Sequence, residues 1–145
     1  MLDKNDKYTY NEKEEWYGVD LDGTLAYLDA SIFPIIGKLV PLIFEKVKDL
    51  LRLNFRVKIF TARASEVDEI TRIRKWLKEN GLPNNLEITN IKDYNCVQIW
   101  DDKARQVIFN TGYFLDTTLS KQIDEMKINK INYKGYENDK KTNKK

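Results

Sequence analysis

Six consecutive residues carry the strongest chemical signal in the chain: Asp20-Leu21-Asp22-Gly23-Thr24-Leu25. They follow Trp16-Tyr17-Gly18-Val19, an apolar run that predicts a buried strand, so both carboxylates project from a strand end. Two acids one residue apart point the same way only if the chain leaves the extended state just after the first. Gly23 permits that turn, because it takes a positive φ without a Cβ clash. The pair suits chemistry in which one acid attacks and the other handles protons, with a cation between them.

Competing readings of the segment fail on their own spacing. A calcium loop beginning at Asp20 needs Gly at its sixth place and Glu at its twelfth, where this chain has Leu25 and Ser31. Gly18 and Gly23 are spaced as in a nucleotide-binding loop, yet Thr24 stands where the Lys is required. Cys96 is the only cysteine, and the Arg that a thiol nucleophile wants six residues later is Asp102. There is no His, which removes the usual general base and the commonest zinc ligand together. Any catalysis in this chain has to run on carboxylates, Lys and Thr, with or without a hard metal.

The elements that must position these residues alternate along the chain. Its 145 residues suit one domain with a real core. Pro41 opens a helix to about Leu53, with Ile43, Val47, Leu50 and Leu51 on one face. Arg56 to Phe60 reads as a second strand, and Glu66 to Asn80 as a second helix striped by Val67, Ile70, Ile73 and Leu77. Short strands are predicted at Leu86–Ile88, Val97–Trp100 and Gln106–Phe109, and a last helix at about Thr118–Lys130. Such alternation predicts an α/β, three-layer Rossmann-like fold around a mostly parallel sheet of about five strands. Ligands then bind beyond the carboxyl ends of the strands. Asp20 and Asp22 end the first strand, Thr61 the second, Asp101 and Asp102 the fourth, and Lys92 lies in the loop before it. Taken singly, Thr61 reads as a helix N-cap, Lys92 as a solvated lysine and Arg63 and Arg105 as surface or ion-pair residues.

The ends read differently. Residues 1–14 form a polar extension, 15–128 the folded domain, and 129–145 a Lys-rich tail expected to be disordered. Net charge is only +2, so no global field argues for nucleic acid or membrane. No signal peptide or membrane-spanning run is visible, and a single cysteine fits a reducing compartment, so a cytoplasmic protein is expected.

The ordered set of acid pair, Thr, Lys and acid pair resembles the haloacid dehalogenase (HAD) superfamily of phosphatases. Asp20 to Thr24 match its first motif, Ile59-Phe60-Thr61 the second, Lys92 the third and Ile99-Trp100-Asp101-Asp102 the fourth. Thr61-Ala62-Arg63 and Asp101-Asp102-Lys103-Ala104-Arg105 look like the small capless members common in phages and bacteria. A receiver domain of two-component signalling also groups acids, Thr and Lys around Mg²⁺, but needs its phosphorylated Asp at the end of a middle strand. Between Asp22 and Thr61 only Asp29 and Asp49 occur, in a loop and a helix.

The resemblance implies a Mg²⁺-dependent phosphohydrolase working through an aspartyl-phosphate. Asp20 would be the nucleophile and Asp22 the proton donor and acceptor. Thr61, Ala62 and Lys92 would grip the phosphate, Lys92 also holding Asp20. Asp20, the Asp22 carbonyl, Asp101 and Asp102 would serve the metal, Asp102 directly or at one remove. Only 36 residues separate Thr24 from Thr61 and 30 separate Thr61 from Lys92, which leaves no room for a cap domain. A small phosphorylated metabolite or nucleotide is the favoured substrate. A nucleic-acid end, a phosphoprotein or a non-catalytic binding role is the alternative. Oligomerisation through Ile32, Phe33, Ile35 and Ile36 is one way to cover an open site, unless those residues pack on the protein's own core.

Overall fold

The structure, a computed structural model, describes residues 8–115. Four strands form one parallel sheet: β1 (Trp16–Val19), β2 (Arg56–Phe60), β3 (Glu87–Thr89) and β4 (Cys96–Trp100), in the order β3-β2-β1-β4. Between them run α1 (Pro41–Arg52) and α2 (Val67–Glu79), with a 3-10 turn at Ala62–Ser65. The chain through Asp102 is one compact unit, and Lys103 begins a second.

Strand alternation divides the sheet into two unlike faces. Val19, Val57 and Ile59 lie on one and join Val47 and Leu51 of α1 and Ile73, Trp76 and Leu77 of α2 in a single buried cluster. The crossovers β1-α1-β2 and β2-α2-β3 step in the same direction, so right-handed connection puts both helices on the same face. The other face carries Trp16, Arg56, Lys58 and Glu87. Arg56 grips Glu87 through Nε–Oε2 at 2.8 Å and Nη2–Oε1 at 2.7 Å, and Lys58 lies 4.5 Å from the Trp16 ring. Residues 90–95 return from β3 to β4 across this polar face. Asp93 marks the crossing, accepting from Trp16 Nε1 at 2.8 Å and pairing with Lys58 at 3.7 Å.

The helices begin and end for local reasons. Pro41 occupies the first turn of α1, where no N–H partner is needed. Asn54, at φ 63°, ends it as Phe55 N–H bonds back to Leu50 O at 3.0 Å. Gly81, at φ 74°, does the same for α2, with Leu82 N–H on Leu77 O at 2.9 Å. The expected stripe on α2 is shifted: Val67 is exposed, and Trp76 takes the buried place, donating from Nε1 to Gly37 O at 2.9 Å.

Two sequence expectations change. Tyr8 is buried, so the segment before Trp16 is more than a solvated extension. Its hydroxyl accepts from Val57 N at 2.9 Å and faces Phe55 O at 3.3 Å, while its main chain exchanges hydrogen bonds with Asn85. Arg56 adds bonds to the carbonyls of Glu12 and Glu14. Gln106–Phe109 is not a sheet strand. Asn110 (φ 58°) and Gly112 (φ 77°) turn the chain back, so Val107 pairs antiparallel with Phe114 in a local hairpin. The described residues place both helices on one face, and the helix expected at Thr118–Lys130, with the 129–145 tail, lies outside them. Among the described residues no domain is inserted after β1 or between β2 and β3, and no helix is long and apolar enough to cross a membrane.

Candidate functional site

The acidic turn is built around two buried leucines. Leu21 and Leu25 are fully buried, each worth roughly 1.5–3 kcal/mol over an exposed position. With those side chains in the core, Asp20 and Asp22 on either side of Leu21 face outward. Leu25 N–H bonds to Asp20 O at 3.3 Å, Ala26 N–H to Leu21 O at 2.9 Å and Gly23 N–H to Ala26 O at 2.8 Å. Gly23 sits at φ +86°, and a Cβ there would lie 2.8 Å from Asp102 Oδ2. Both the turn and the approach of Asp102 exclude a side chain. Gly23→Ala is expected to destabilise the fold by about 1–3 kcal/mol and to displace Asp102. Urea unfolding checks the first effect, and a cation titration followed by melting temperature checks the second.

Asp20, Asp101 and Asp102 come together. Asp20 N–H bonds to Trp100 O at 2.9 Å, which sets the ends of β1 and β4 side by side. One carboxylate oxygen from each of the three acids lies within 4.8 Å of the others. Thr24 links them: its hydroxyl stands 3.2 Å from Asp20 Oδ2 and 3.3 Å from Asp102 Oδ1, and accepts from Asp102 N–H at 3.1 Å. One hydroxyl proton serves one carboxylate at a time, so Thr24 does not relieve the crowding. Burial first, then the charge of Asp101 and a hydrogen bond with Asp102, push the Asp20 carboxyl up to about 7. Three carboxylates this close together, offering oxygen donors alone, fit a hard cation.

Asp22 points elsewhere. Its carboxylate accepts two hydrogen bonds from Arg63, Nε–Oδ2 at 2.6 Å and Nη2–Oδ1 at 2.8 Å. Thr61, beyond the carboxyl end of β2, caps the 3-10 turn by accepting from Arg63 N–H at 3.2 Å, and Ala62 is the exposed first residue of that turn. Lys92 is exposed on the crossing between β3 and β4 and forms no ion pair with a described carboxylate. Its neighbour Asp93 is bonded to Trp16, at the amino end of β1.

Sequence reasoning passed over Thr24 and undervalued Arg63. Thr24 closes the first motif, and its place between two acids was readable there. The ion-pair reading of Arg63 holds, but its burial among two acids and a carbonyl depends on tertiary contacts that spacing does not reveal. Ile36 belongs to the core, whereas Ile32, Phe33 and Ile35 are exposed on the loop between Ala26 and Val40. No protein-family model, curated protein or solved structure matches this chain.

Proposed function

We propose that this chain is a Mg²⁺-dependent phosphohydrolase of the HAD type, acting through an aspartyl-phosphate on a small phosphorylated metabolite or nucleotide. The observation that carries the reading is the trio Asp20, Asp101 and Asp102, set on the carboxyl ends of two adjacent parallel strands. Mg²⁺ held by these carboxylates and the Asp22 carbonyl would offset the repulsion between Asp20 and an anionic phosphate.

Asp20 attacks phosphorus, forming an O–P bond as the bond to the leaving oxygen breaks. Asp22 gives that oxygen its proton. In the second half, water attacks phosphorus, Asp22 takes the proton of the water, and Asp20 departs as a free carboxylate. Thr61, which accepts from Arg63 N–H and keeps its own hydroxyl proton to donate, grips the phosphate together with Ala62. Lys92, exposed on the crossing that follows β3, is assigned to the same grip by its motif position.

One observation favours the alternative of a macromolecular phosphate: Tyr27, Leu28, Phe33 and Ile35 are exposed on the loop after the acidic turn. A kinetic screen decides between them. Measurable kcat/KM on sugar phosphates and nucleoside monophosphates supports the small-substrate reading. Far higher kcat/KM on a 5′- or 3′-phosphorylated oligonucleotide or a phosphopeptide overturns that choice. No phosphate release from any of them in the presence of Mg²⁺ overturns the enzyme.

A further inference from the structure

Arg63 is the most heavily engaged buried side chain near the acidic turn. Besides its two bonds to Asp22, its Nη1 donates to Glu69 Oε2 at 2.7 Å and to Pro34 O at 2.5 Å. Arg72 reinforces the same cluster, donating to Glu69 Oε1 at 2.7 Å and Pro34 O at 3.1 Å. The Phe33 ring lies 4.9 Å from the Arg63 guanidinium. Arg63 thus joins three parts of the chain: the turn after β1, the loop that follows it, and the start of α2. Its own backbone is fixed by the Thr61 cap.

We propose that Arg63 is a positioning residue for proton transfer, holding the Asp22 carboxylate at both oxygens and tying that orientation to Pro34 on the loop. The inference rests on the phosphohydrolase reading. Without Arg63, Asp22 has no described partner for its carboxylate and turns freely at a turn followed by a glycine. Placement matters because a misplacement of about 1 Å costs about 10²-fold in rate. The fork shape matters as much as the charge: a lysine ammonium is a point donor that cannot hold both oxygens in a plane.

The test exploits what Asp22 does for the leaving group. Wild type, Arg63→Lys, Asp22→Asn and the double variant are assayed with Mg²⁺ on p-nitrophenyl phosphate and on an alkyl phosphate such as glycerol 2-phosphate. The nitrophenolate leaves without a proton, whereas the alkoxide needs one. Arg63→Lys is expected to lose about 10²-fold in kcat/KM on the alkyl phosphate and far less on the aryl one. In the Asp22→Asn background the same change should cost nothing further on the alkyl substrate. Equal losses on both substrates, no loss on either, or full additivity with Asp22→Asn each overturn the inference while leaving the enzyme standing. If wild type cleaves neither these two substrates nor any in the kinetic screen, the phosphohydrolase reading itself fails and takes the inference with it. Should Arg63→Lys not melt cooperatively, Arg63→Gln is judged by the same comparison.

Discussion

Replacing Asp20 with Asn is expected to remove phosphate release, a loss of about 10⁴- to 10⁶-fold, and at the same time to stabilise the metal-free protein above pH 7. The first effect follows because an amide is neither a nucleophile nor a strong ligand for a hard cation. The second follows from the crowding of Asp20 by burial, Asp101 and Asp102, which lifts its carboxyl from 3.8 to about 7. An acid raised on folding binds its proton more tightly in the native state than in the unfolded one. Its favourable contribution is fully present below the unfolded value and disappears as pH rises from about 4 to about 7. Asn at position 20 carries no charge to repel, so the variant lacks that slope. Melting temperatures across this range in the presence of chelator measure it. A wild-type protein with no such fall, or a variant that turns over p-nitrophenyl phosphate at the wild-type rate, would remove Asp20 from its assigned role.

Metal should reverse the crowding. Added Mg²⁺ at pH 8 is expected to raise the melting temperature, with a gain of about 2.7 kcal/mol when the free ion stands at 100 times its dissociation constant. The gain should shrink toward pH 5, because Asp20 must lose its proton to bind the ion. Activity should vanish with EDTA and return with Mg²⁺. Isothermal titration into Asp101→Asn gives a readout independent of turnover, and binding there should be weakened. Full activity after chelation, with no shift in melting, would return Asp101 and Asp102 to the status of turn residues.

The parts of this architecture that were legible in the chain are those set by local pattern. The apolar runs at Trp16–Val19 and Arg56–Phe60 announce strands because period-2 burial leaves a direct mark on residue type. Gly23 and Gly81 announce turns because positive φ excludes most other residues. Strand ends then locate Asp20, Thr61 and Asp101 without any knowledge of contacts. The misplacements share one cause, which is that the deciding partner is distant in sequence. Tyr8 looks solvated until Val57 N–H donates to its hydroxyl and Phe55 O accepts from it. Val107 looks like a sheet strand until Asn110 and Gly112 fold it back on Phe114.

The crossing between β3 and β4 has a mechanical consequence. It joins the two outer strands of the sheet with only residues 90–95, where a parallel connection ordinarily takes a dozen or more residues. Three strand spacings and the climb from the carboxyl end of one strand to the amino end of the other make a diagonal of roughly 19 Å. The seven Cα-to-Cα steps from Thr89 to Cys96 reach roughly 24 Å at full extension. So little slack makes the segment a brace, and it limits how far β4 can slide against its neighbours. Asp101 and Asp102 ride on the end of β4, and Asp20 on the end of β1. The spacing of the three acids is therefore governed in part by the length of a segment bound at the opposite end of the strands. A few residues inserted there, far from any carboxylate of the trio, would give those acids freedom to drift apart.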